Sequence, residues 1–114
     1  MDELVEDIAS KTGLGRPAVE KALGIIISFL ERTGPAEKVT PMIDKLPGAR
    51  ALADTYGSRA NGLFAVFNDL SGAGLGLGQV QTVVGAFVTF AKAKIGDTEV
   101  DAVIRSIPGA GQFL

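Results

Sequence analysis

Neither cysteine nor histidine occurs in this chain. The first absence excludes disulfides and thiolate metal sites. The second removes the side chain most used near neutral pH for proton transfer and metal binding. A dominant charge is missing too. Eleven basic residues stand against 13 acidic ones, a net charge of −2 with a pI near 5.0, so there is no electrostatic footprint for nucleic acid. The charges are scattered, and pairs such as Asp44/Lys45 and Glu31/Arg32 read as solvated helix faces. No paired carboxylates, nucleophile–base pair or ligand cluster is spaced for chemistry. The expectation is a protein that is not an enzyme and holds no cofactor. The amino-terminal MDELVED is acidic, unlike the basic start of a signal peptide, which points to the cytoplasm.

Apolar residues are abundant, at 46% of 114 residues. That length suits one domain burying about two thirds of its unfolded surface, with apolar surface to spare for a partner. The organising stretch is Val19–Leu30, VEKALGIIISFL, apolar nearly all round over two turns. Such a helix normally lies at the centre of a fold.

Before it, Met1, Leu4, Val5 and Ile8 follow helical spacing. Asp2 suits the N-cap, and Gly13 suits the left-handed stop. Pro17 fits the first turn of a second helix, over about 16–32. Val39, Met42, Ile43 and Leu46 mark a third, with Pro41 in its first turns bending it or delaying its start. Pro47-Gly48 ends that helix, and Ala49–Tyr56 fits a short fourth.

The pattern then begins again. Leu63, Val66, Phe67 and Leu70 repeat the spacing of Met1, Leu4, Val5 and Ile8. DIASKTGLG (Asp7–Gly15) returns as DLSGAGLG (Asp69–Gly76). From Gly13 onward the displacement is 61, as in Val19 and Val80, and 11 of 40 aligned positions are identical. They include Gly24/Gly85, Phe29/Phe90 and Pro47-Gly48-Ala49/Pro108-Gly109-Ala110. Asp97 is placed to cap a helix over Thr98–Ile107. A repeat of this length is one supersecondary unit that stacks on its copy to share a core. The predicted fold is therefore an all-α, six-helix bundle made of two duplicated three-helix halves with pseudo-two-fold symmetry. Residues 1–114 form one domain, divided into repeat one (1–52), a connector (53–62) and repeat two (63–114).

Five features bear on function. Gly24 and Gly85, mid-helix at equivalent positions, would let the two central helices cross closely. Ile26, Phe29, Phe87 and Phe90 would line an apolar cavity between the halves. Asp54, Tyr56, Arg59 and Asn61 form the densest polar group, at the seam where duplicated folds offer binding places. Gly72–Gly78 is glycine-rich, but it lacks the preceding strand and the GK[ST] ending of a phosphate loop. Leu70–Ala91 carries no charge over 22 residues, long enough to span a membrane. Its counterpart in the first half carries Arg16, Glu20 and Lys21, so both segments are read as core, and membrane association is disfavoured.

The stretch ELVEDIASKTGLGRPAVEKAL, with Lys38-Val39-Thr40 after it, resembles the amino-terminal helix-turn-helix of the histone-like HU family. That resemblance implies tight packing of the first two helices. It ends at Thr40, where PMIDKLPGA stands in place of strands, and the basic DNA-embracing arm has no counterpart. The LG…V…G…F…PGA plan of Leu70–Ile107 is similar to small bacterial proteins of the VcgC/VcgE-like group, and more loosely to the YidB-like group. This implies an all-helical bacterial protein and transfers no site residues. The functional expectation is a non-enzymatic protein-interaction or structural module, binding a protein partner or itself as a homodimer. The alternatives are a small apolar-ligand or lipid binder and, disfavoured by charge, a DNA-associated protein.

Overall fold

A computed structural model describes residues 2–34, 36–57 and 63–106 of the chain. Within them run seven α-helices and no strand: α1 (Asp2–Thr12), α2 (Arg16–Thr33), α3 (Ala36–Asp44), α4 (Ala49–Tyr56), α5 (Leu63–Gly72), α6 (Leu77–Ile95) and α7 (Asp97–Arg105). The fold is all-α. Beside the six main helices, the short α4 makes a full structural element of its own.

The helix ends follow from local chemistry. Gly13 and Gly74 adopt φ of +76° and +100°, conformations that cost glycine little and other residues more. α2 and α6 then start from extended glycines, Gly15 and Gly76. The Gly76 N–H donates to Gln79 Oε1 at 2.8 Å, satisfying one of the free donors of a helix start. The Gln79 side-chain amide donates in turn to the Thr12 carbonyl at 3.1 Å, tying the start of α6 to the end of α1. Two sequence expectations shift. Pro41 lies inside α3 and does not delay its start. Asp97 is the first residue of α7, and Gly96 occupies the cap position.

α2 is the hub. It meets α1, α3, α4, α5 and α6, and α4 lies along it more extensively than any other helix pair in the fold. Its Val19, Ala22, Leu23, Ile25, Ile26, Ile27 and Phe29 are all buried. At about 1.5–3 kcal/mol for each large aliphatic side chain taken from water, this one helix holds much of the core. α6 differs: it buries a single stripe of Val80, Val83, Phe87 and Ala91. α1 packs on both α2 and α6. It is also held to α2 by Arg16, whose guanidinium reaches Glu6 at 2.8 Å, Asp2 at 3.5 Å and Glu20 at 3.9 Å. The uncharged run Leu70–Ala91 is broken between α5 and α6, whose axes meet at 105°. No single helix among the described residues is long and apolar enough to cross a membrane, and only this bent pair passes by length and composition.

The expected crossing of the central helices at Gly24 and Gly85 is not what the structure contains. α2 and α6 do touch, but Gly24 faces α4. A Cβ built there would lie 2.5 Å from the Leu52 carbonyl oxygen and 2.8 Å from Tyr56 Cβ. Gly85 is exposed, and a Cβ there would meet nothing within 4 Å among the described residues. One glycine permits a backbone contact and its sequence twin does not. Gly24→Ala should therefore destabilise the protein by about 1–3 kcal/mol, because the obstructing atom is backbone. Gly85→Ala should instead stabilise it by roughly 0.5–1 kcal/mol through helix propensity. Thermal or urea unfolding of the two variants checks the pair.

Candidate functional site

Two features stand apart from the packed core. The first is an apolar cavity of about 100 Å³ between the halves. Ile26, Phe29 and Leu30 of α2 and Met42 of α3 form one wall, and Val66 and Leu70 of α5 another. Phe87, Val84 and Ala91 of α6 with Val100 and Val103 of α7 close it. Gln81 reaches its margin, yet the exposed surface within is wholly apolar. Three of the residues singled out in the sequence, Ile26, Phe29 and Phe87, thus meet at one place.

Phe90 does not join them. It lies in a second groove, between α1 and α6, with Lys94 Nζ 5.5 Å from its ring centroid. Phe29 lines the cavity with Val66 and Leu70 of α5, whereas Phe90, its equivalent at the displacement of 61, lies beside Glu3 and Leu4 of α1. Ile26 and Phe87, equivalent at the same displacement, both line the cavity.

The second feature is the floor of the α1–α6 groove, which measures about 530 Å³. Thr82, Gly85, Ala86, Thr89 and Ala93 form it. These side chains are small and uncharged, and Leu77, at 65% exposure, stands at the start of the same helix. Leu77 is the one exposed large apolar side chain among the described residues. The equivalent strip of α2 is covered. There α4 lies on Gly24, and Ser28 Oγ donates to the Ala53 carbonyl at 3.5 Å. A side chain at Gly57 would run into that same carbonyl and hydroxyl. Nothing in the repeat alignment alone distinguishes the covered strip from the bare one; the signal was the richer apolar content of Ile25–Ile27 against Ala86–Val88.

The polar group at the connector does not form a site among the described residues. Arg59 and Asn61 lie outside them. Asp54 is exposed on α4, and Tyr56 is half-buried against Gly24. The nearest charged cluster is Arg50, which hydrogen-bonds Asp44 at 2.8 Å and lies 3.6 Å from Glu31. The hydrogen bond and charge of Asp44 raise the Arg50 pKa above the ordinary arginine value, which keeps it cationic at any working pH. Among the described residues no three acidic side chains converge as a metal site, and no polar side chain is buried.

No family model, curated protein or solved structure matches the chain.

The two phenylalanines of α6 give a direct check on this geometry. Phe87→Ala should cost about 3–5 kcal/mol, since it empties a buried site beside an existing space. Phe90→Ala should cost about 1 kcal/mol or less, the scale of an exposed cation–π contact. Denaturant titration of both variants tests the assignment.

Proposed function

We infer that the protein is a non-enzymatic helical interaction module that pairs with a second copy of itself through α6. The observation that carries this reading is the strip around Gly85, bare among the described residues, whose twin around Gly24 is covered by α4. The reading rests on a duplicated fold, and the packing supports one. The ranges of α2 and α3, displaced by 61, fall on those of α6 and α7 to within a residue. Exchanging the halves maps α1–α6 onto α5–α2, α1–α2 onto α5–α6, and α2–α3 onto α6–α7, all of them packed pairs. The α3–α7 and α2–α6 pairs map onto themselves. Only α4 lacks a counterpart among the described residues.

A second copy fits the bare strip because the strip is self-complementary. Thr82, Gly85 and Thr89 share one face of α6, within about 60° of one another around the helix, and all three line the groove. An antiparallel pairing of two α6 helices about Gly85 sets this face of each copy against that of the other. Small residues at the centre allow the close approach. Burying the groove floor supplies the apolar drive that a polar rim cannot. DNA association finds no support in a net charge of −2.

Light scattering coupled to size exclusion should show a concentration-dependent dimer. Gly85→Gln should shift it to monomer without lowering the melting temperature measured in dilute solution. A wild-type chain still monomeric at about 1 mM, where an association of only about −4 kcal/mol is already populated, would overturn the reading.

A further inference from the structure

We propose that the cavity between α2, α3, α5, α6 and α7 is a binding site for a short uncharged hydrocarbon group. Protein interiors seldom leave spaces larger than a water molecule, and this one measures about 100 Å³. Water is a poor occupant. A buried water needs two to four polar partners, and the surface within this space offers none. Cavities lined only by aliphatic and aromatic side chains stay dry and accept apolar guests.

The origin of the space is visible in the repeat. Leu30 and Met42 line it from the first half. Their twins at the displacement of 61 are Ala91 and Val103, which line it from the second half. Ala91 and Val103 are smaller than Leu30 and Met42, whereas Phe87, also in the lining, is larger than its twin Ile26, so the shortfall is local to Ala91 and Val103.

Size sets the ligand class. An engineered apolar cavity of about 150 Å³ takes a benzene ring, so this space holds roughly four carbon atoms. Among the described residues Gln81 is the one polar side chain in the lining and the surface exposed within is apolar, which disfavours a charged head in the interior. The site therefore takes a small hydrocarbon or the tip of an alkyl chain, and its specificity is one of shape and size.

The test uses the full-length chain with xenon under pressure and, separately, butane-saturated buffer, read by methyl NMR and melting temperature. Both probes should shift the methyl signals of Val84, Val103 and Ile104 while leaving Val5 and Leu23 in place, and should raise the melting temperature. Ala91→Leu and Val103→Met, which restore the repeat, should abolish the shifts and the stabilisation while the chain stays folded. If Ala91→Leu fails to fold, Val103→Met decides alone. Absence of selective shifts in the wild type would overturn the proposal, as would undiminished shifts in a folded filled variant. Repeating the measurement with Gly85→Gln separates this site from self-association: cavity binding should survive the loss of the dimer.

Discussion

The contact on which the rest of the structure depends is the laying of α4 onto the Gly24 face of α2. It sets two backbones close enough that even a methyl group on Gly24 would collide with the Leu52 carbonyl. Because α4 covers that side, α1, α3, α5 and α6 can take the others, and a helix apolar nearly all round finds partners all round. Without that cover the Gly24 strip would lie bare, as its twin does on α6. α4 is also held at its ends. Gly48 starts it from a left-handed backbone, and Gly57 leaves room beside Ser28 and Ala53.

The asymmetry of the molecule follows from that one contact. α2 and α6 descend from the same pattern, start from the same kind of extended glycine and bury the same stripe, Val19/Val80, Ala22/Val83 and Ile26/Phe87. Yet α2 is enclosed and α6 keeps one side open. The substitutions agree with the difference. Where α2 has Ile25 and Ile27, α6 has Ala86 and Val88, both half-buried. Where α2 has the half-buried Ser28 against α4, α6 has an exposed Thr89. A floor of small uncharged residues, Thr82, Gly85, Ala86, Thr89 and Ala93, is a different object from a surface of lysines and glutamates, and it is this floor that the proposed self-association uses.

The cavity lies where residues equivalent at the displacement of 61 meet. Leu30 and Met42 line it together with the smaller Ala91 and Val103. Left empty, a space of this size would forfeit about 2 kcal/mol of packing, a large share of the roughly 5–15 kcal/mol that stabilises a domain. Exposed ion pairs do little to offset such a loss. Lys45–Glu99, which links the turn after α3 to α7, and Lys92–Asp101, which links α6 to α7, are partly solvated and contribute about 0–1 kcal/mol each.

Helical spacing, glycine stops and the displacement of 61 were enough to place every described helix, because these are properties of a few neighbouring residues and of the 3.6-residue turn. The same reasoning found α2 as the central element and brought Ile26, Phe29 and Phe87 together as candidates. It erred at Gly85 and Phe90, where it assumed that twins share surroundings. Twins share a local conformation, but what lies against each is decided by the other half of the molecule. The order of residues determined the helices, their ends and the stripe each must bury. Only the packed structure decided that α4 would cover α2 and leave α6 bare, because a helix carries its apolar face in its own sequence but not the partner that will meet it.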